Sequence, residues 1–149
     1  MRIYLDMCSL QRPSDDRSQL RIRVESEAVL GILSLCESGG AELVNSDALR
    51  FEIGRNPHPL RRSYAEEALS VANHFVPATS TVADRARKYV DRGIKPLDAL
   101  HLACAVEGGA AYFCTCDDRL LKRARIVDTG ATRPVSPLEL MEALEDEER

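Results

Sequence analysis

Residues 111–117 read Ala111-Tyr112-Phe113-Cys114-Thr115-Cys116-Asp117. This apolar run is the clearest buried strand in the chain, and an acid ends it directly. Gly108-Gly109 closes a helical stretch just before it, and a basic helix follows Asp117-Asp118. A second run of the same kind, Ile3-Tyr4-Leu5, reads as a strand over 2–5 and also ends directly in an acid, Asp6. Short buried strands separated by helices predict an α/β fold with a parallel sheet covered on both faces.

The intervening chain supplies the helices. Residues 7–18 contain Pro13, Ser14, Asp15 and Asp16, a loop signature. From Ser18 to Ser38, Leu20, Val24, Ala28, Ile32 and Leu35 recur every three or four residues and predict an amphipathic helix closed by Gly39-Gly40. Residues 41–45 read as a short strand, after which Ser46 caps a helix through Ile53, ended by Gly54 and Asn56-Pro57-His58-Pro59. A third helix carries Leu60, Tyr64, Ala68, Val71, Ala72 and Phe75 on one face. An extended stretch near 75–77 leads to a cap at Thr79 or Ser80, and the helix that follows stops at Gly93. Pro96 opens a helix over 97–107. After an extended segment at 132–135, Ser136-Pro137-Leu138-Glu139 is a capping box that starts the last helix. The reading is one domain over 1–144 with a charged, frayed tail at 145–149.

With 149 residues, 44% hydrophobic and 30% charged, the composition is that of a soluble globular protein. No run approaches the ~18 apolar residues of a membrane span. The N-terminus enters a strand at once, leaving no room for a signal peptide. Five cysteines, an odd number without CxxC spacing, are expected as reduced thiols in a cytoplasmic protein. Three histidines, none at ligand spacing from a cysteine, argue against structural zinc. A net charge of −4 argues against nucleic-acid binding by overall positive potential. Local basic clusters remain: Arg12, Arg17, Arg21 and Arg23 early in the chain, and Arg119, Lys122, Arg123 and Arg125 after Asp117. Each reads equally as a basic rim or as a solvated helix face.

Ligands of parallel α/β sheets bind beyond the carboxyl ends of the strands. Asp6 and Asp117 lie at that edge, and Glu52 and Asp98 lie on helices that can reach it. Gathered carboxylates repel one another, so a fold that collects them points to a hard cation, Mg²⁺ or Mn²⁺, and to chemistry on phosphate. Structural readings stand beside the functional ones. Asp6 suits a turn or cap, Asp98 a helix dipole, and Asp117 or Asp118 a helix cap. Glu52 has Arg50 and Arg55 as ion-pair partners, and Glu27 has Arg23. His101, one turn after Asp98, reads as a packed or hydrogen-bonded histidine. Thr115 either orients a water or carboxylate or is a plain strand residue. Asp15 and Asp16 read as loop acids.

Four motifs together resemble the PIN domain, the small nuclease domain that includes VapC-type ribonuclease toxins. They are Tyr4-Leu5-Asp6, the segment Ser46 through Glu52, Pro96-Leu97-Asp98-Ala99-Leu100-His101-Leu102-Ala103, and Phe113-Cys114-Thr115-Cys116-Asp117-Asp118. The resemblance runs from Ile3 to about Leu144. It implies a three-layer sandwich whose central parallel sheet has four or five short strands flanked by helices. It implies a Mg²⁺- or Mn²⁺-dependent endoribonuclease with Asp6, Glu52, Asp98 and Asp117 as its acids. Asp6, Asp98 and Asp117 would hold metal directly or nearly so, and Glu52 would act through a water or orient the nucleophile. Arg119, Lys122 or Arg12 would hold flanking phosphates of an RNA substrate. Where many members carry Thr, Ser or Asn two residues after the first acid, Cys8 stands here, with Ser9 as the neighbouring polar group.

The resemblance further implies a possible antitoxin protein as partner and a homodimer. The alternative is a non-catalytic PIN-fold module that binds RNA or a protein partner. A phosphatase ranks last, because Asp6 is followed by Met7 and Cys8 rather than by a second acid two residues on.

Overall fold

Ile3, Tyr4 and Leu5 pair in parallel register with Tyr112, Phe113 and Cys114, so the two runs that end in acids are neighbours in one sheet. The computed structural model describes residues 1–148. In chain order the elements are β1 (Arg2–Leu5), α1 (Met7–Leu10), a 3₁₀ turn (Arg12–Ser14), α2 (Leu20–Glu37), β2 (Glu42–Ser46), α3 (Asp47–Arg55) and α4 (Pro59–Leu69). There follow β3 (His74–Val76), α5 (Ser80–Asp91), α6 (Pro96–Glu107), β4 (Tyr112–Cys114), α7 (Asp118–Ala124), β5 (Arg133–Val135) and α8 (Pro137–Glu148).

All strand pairs are parallel, in the order β3-β2-β1-β4-β5. The chain builds outward from β1 to β3, then returns to the other side of β1 to lay down β4 and β5. The crevice beyond β1 and β4 is thus the topological switch point, where open α/β sheets place their ligands. Flanked by helices, the five strands form the expected α/β sandwich. Ile3, Tyr4, Leu5, Phe113 and Cys114 have no exposed surface, because helices cover both faces of the central strands.

Local chemistry explains the element boundaries. The side chains of Ser46 and Thr79 accept hydrogen bonds from the N–H of Leu49 and Val82 and so start α3 and α5. Ser136 and Glu139 form a reciprocal capping box: Glu139 N–H donates to Ser136 Oγ at 3.2 Å, and Ser136 N–H donates to Glu139 Oε1 at 3.0 Å. At the end of α6, Gly108 passes close to the sheet. A Cβ there would lie 2.5 Å from Val76 Cγ2 and 2.9 Å from the Cys104 carbonyl, so only glycine fits.

Several expectations are corrected. The loop expected over 7–18 begins with α1, because Asp6 caps it through the Ser9 N–H and Met7 and Leu10 are buried. The third helix stops at Leu69. Asn73 N–H bonds the Leu43 carbonyl at 3.0 Å and His74–Val76 joins the sheet, so strand pairing overrides the helical pattern. Leu60 and Phe75, expected on the buried face of that helix, are 86% and 43% exposed. Leu20 and Val24 of α2 are exposed as well and line an open groove with Ala28, Leu138 and Met141. The buried face of α2 is instead Glu25, Ser26, Ala28, Val29, Ile32 and Cys36. α8 extends through Glu148, into the charged tail expected over 145–149, and Arg149 lies outside the described residues. Among the described residues, no helix is long and apolar enough to cross a membrane.

Candidate active site

Asp6 follows β1 directly, and its N–H continues the ladder to the Cys114 carbonyl at 3.0 Å. On a strand, residues two apart share a face, so Asp6 lies on the face of Tyr4. The carboxylate is buried. It accepts from Ser9 N–H at 3.0 Å and from the Cys8 thiol at 3.3 Å. Burial raises its pKa, opposed by Thr115, by the Ser9 N–H, by His101 and by Cys8. Cys8 thus occupies the polar position next to the first acid with a sulfur donor. The neighbouring Cys116 thiol, burial and the Asp6 charge all raise the Cys8 pKa and keep its proton on sulfur.

Asp98, in the first turn of α6, is half-buried. Burial raises its pKa first and the Asp6 charge next; Asp117 and Glu52 push the same way, and His101 opposes them. The other three acids named from sequence therefore all act on Asp98 across the switch point. Asp117 is exposed and caps α7, its Oδ1 accepting from Arg119 N–H at 2.9 Å and Leu120 N–H at 3.1 Å. Its own N–H donates to Thr115 Oγ1 at 3.0 Å, so Thr115 shapes the turn after β4. Between Asp98 and Asp117 lies a small cleft lined by Lys95, Arg119 and Arg123.

Glu52 pairs with neither expected arginine. Its Oε1 lies 2.7 Å from His101 Nε2, while Arg50 sits over the Phe75 ring and Arg55 over the Phe51 ring. His101 is buried and hydrogen-bonded, as expected: Nδ1 lies 2.7 Å from the Tyr4 hydroxyl, itself 2.7 Å from Ser46 Oγ. Burial pushes the Tyr4 phenol well above its ordinary value, so it remains a neutral hydroxyl.

The basic residues divide into two groups. Arg12, a phosphate candidate from sequence, is committed elsewhere: it pairs with buried Glu25 at 3.1 Å and with Asp15 at 3.1 Å. Asp15 also binds Arg61 at 2.8 Å, so this loop acid ties the 3₁₀ turn to α4. Arg21 grips Asp118 with two bonds of 2.8 Å. Glu27 pairs with Arg17 at 3.5 Å and not with Arg23. Lys95 and Arg119, by contrast, are exposed beside the acids. Sequence reading missed Tyr4, Glu25 and Lys95. A tyrosine inside a buried strand was a usable signal, since its hydroxyl needs a partner. Glu25 gave none, because its partners lie on other turns and elements.

Among the described residues, no group of three or more His, Cys, Asp or Glu side chains is arranged to hold a metal ion unaided. The donor set still suits a hard, hydrated cation: Asp6, Asp98 and Asp117 offer oxygen, and no lysine or arginine is among the largest influences on Asp6 or Asp98. Mg²⁺ normally keeps several waters and takes only one or two carboxylates plus substrate phosphate. The acids fit that mode and not an all-protein cage.

Comparison with known proteins agrees with the fold. A family model described as PIN domain matches residues 10–126, a span that includes Glu52, Asp98 and Asp117 and begins after Asp6. Among solved structures, that of FitAB bound to an IR36 DNA fragment matches with a TM-score of 0.57 at 16% identity, covering 91% of this chain and 94% of the other. VapBC2 from Rickettsia felis, bound to a DNA fragment from the promoter, matches with a TM-score of 0.59 at 12% identity, covering 91% and 99%. At these identities the likeness is one of fold. No curated protein sequence matches the chain.

Proposed function

This chain belongs to the PIN domain family, and from that premise we propose that it is a Mg²⁺- or Mn²⁺-dependent endoribonuclease, the toxin of a toxin–antitoxin pair. The observation that carries the reading is Asp98, whose pKa is raised by burial and by Asp6, Asp117 and Glu52 at the carboxyl edge of the sheet. Such a cluster costs stability unless a cation or a proton offsets it. The antitoxin part rests on the fold shared with FitAB and VapBC2.

In this reading Asp6, Asp98 and Asp117 hold the divalent cation, directly or through water. When bound, the cation polarises the phosphate and lowers the pKa of water. Glu52 would act through a water or orient the nucleophile. Lys95 and Arg119 hold phosphates next to the scissile one and fix the strand's register. Cys8 and the Ser9 N–H keep Asp6 in place, a task a hydroxyl would otherwise share. An antitoxin would silence the site by offering a cation of its own to the acids.

The alternative, a non-catalytic module binding RNA or protein, draws on Cys8 and on the lack of a ready-made three-ligand cage. One experiment separates the two: incubation of the protein with a mixed RNA pool in Mg²⁺, Mn²⁺ or EDTA, beside Asp98→Asn. The nuclease reading expects cutting in either metal, none in EDTA and none by the variant. RNA left intact under every condition favours the binding module.

A further inference from the structure

Ser46, the cap of α3, and Glu52 within α3 are tied to one chain of hydrogen bonds. Ser46 caps the helix through the Leu49 N–H at 3.1 Å and also meets the Tyr4 hydroxyl at 2.7 Å. Tyr4 meets His101 Nδ1 at 2.7 Å, and His101 Nε2 meets Glu52 Oε1 at 2.7 Å. Ser46, Tyr4 and His101 are at most 1% exposed. The chain therefore leaves α3 at its cap, crosses β1 and α6 through the core, and returns to α3 six residues later at Glu52.

From this geometry we infer that His101 is a positioning residue that sets Glu52 in the active site, a role that rests on the nuclease reading above. The Glu52 side chain is one-third exposed near the end of a nine-residue helix, and a free glutamate there would sample many rotamers. One hydrogen bond from a ring locked in the core removes most of that freedom and leaves the second carboxylate oxygen for a water. The Nε2-protonated tautomer gives the chain one consistent set of directions. A carboxylate only accepts, so the bond to Glu52 places a proton on Nε2, and the tautomer with Nδ1 unprotonated lets that nitrogen accept from Tyr4. Tyr4 then accepts from Ser46, and every group in the chain is satisfied. His101 also sits one turn after Asp98 on α6, so a single helix carries one acid and positions another.

The test uses the full chain and a cleavable RNA in Mg²⁺. His101→Leu, which keeps the bulk and removes both nitrogens, is expected to lower kcat by ~10–100-fold with KM nearly unchanged, the size of loss that misplacement of a reacting group produces. Combined with Glu52→Gln, it should lose no more than Glu52→Gln alone, because both act through one carboxylate. His101→Gln, which keeps an N–H donor, should recover part of the loss. Additive losses, or parental rates in His101→Leu, overturn the inference.

A second readout does not depend on cleavage. In ¹⁵N-histidine spectra the His101 ring should carry its proton on Nε2 in the parent and change in Glu52→Ala. This measurement decides if His101→Leu fails to fold. A parent that cuts RNA while the His101 signals ignore Glu52→Ala overturns the positioning role alone. A parent that cuts no RNA, with the ring pairing intact, overturns the nuclease reading and the role with it.

Discussion

Leu5 and Cys114 are partners across the β1–β4 ladder, and the chain beyond each carries an acid into the same crevice. Asp6 follows Leu5 at once, whereas Asp117 comes three residues after Cys114 and starts α7. That register makes the first acid buried and the last one exposed. Asp98, in the first turn of α6, feels the charge of both carboxylates.

The first prediction concerns pH. Asp98 has its pKa raised above the ordinary 3.8, first by burial and then by its acidic neighbours. The folded chain thus holds this proton more tightly than the unfolded chain. The stabilisation is fully present below the unfolded value and is lost as pH rises through the folded one. In EDTA, Asp98→Asn should therefore melt increasingly above the parent as pH rises from 4 and then keep a constant lead. Melting curves at a series of pH values check this; a metal-free variant that melts lower at neutral pH contradicts the clustered-acid picture.

A second prediction concerns Glu25, buried against Arg12 at 3.1 Å and Arg21 at 3.5 Å. Arg12→Ala leaves a buried charge with one weaker partner and should cost ~3 kcal/mol. The double change Arg12→Leu with Glu25→Leu removes both charges and should cost much less. Urea denaturation of the three proteins gives the comparison.

Lys95→Ala and Arg119→Ala should each raise KM for RNA and leave kcat nearly unchanged. Each should also make the salt dependence of binding shallower, by a slope of about 1 for a lost phosphate contact. Arg12→Ala, once corrected for stability, should leave that slope unchanged, because Arg12 is held by Glu25 and Asp15. Binding measured across a range of salt concentrations reports all three.

Cys8→Ser keeps a donor to Asp6 and replaces a weak one with a stronger one, so cleavage should be retained or rise. Cys8→Ala leaves the buried Asp6 side chain with the bond from the Ser9 N–H at 3.0 Å. Its stability loss should be within ~1 kcal/mol, that of an ordinary hydrogen bond, while its apparent affinity for Mg²⁺ falls. Parallel Mg²⁺ titrations of the cleavage rate check the pair.

The parts legible in sequence were those governed by neighbours along the chain. The run Ala111 to Cys116, the capping box Ser136–Glu139 and Pro96 at the start of α6 carry their signals locally, and the expected parallel sheet of four or five strands has five. The placement of the acids was legible because two of them end strands. What escaped depended on partners far along the chain. The helical spacing from Leu60 to Phe75 gave way to backbone pairing of His74–Val76 with β2. Glu52 looked like a partner for Arg50 or Arg55 at short range, yet its partner is His101, which packing of α3 against α6 brings to it. Glu25 drew no notice in sequence, because its partner Arg12 reaches it from the 3₁₀ turn.

The most direct test of the central claim, that these acids form a divalent-cation site, is thermal melting of the parent and Asp98→Asn with Mn²⁺ and with EDTA. At ten times its dissociation constant, an ion bound only by the folded chain adds about 1.4 kcal/mol, or a rise of ~3–6 °C for a chain of this size. The account predicts that rise for the parent and almost none for Asp98→Asn. Equal rises in both proteins, or no rise in the parent, would contradict it.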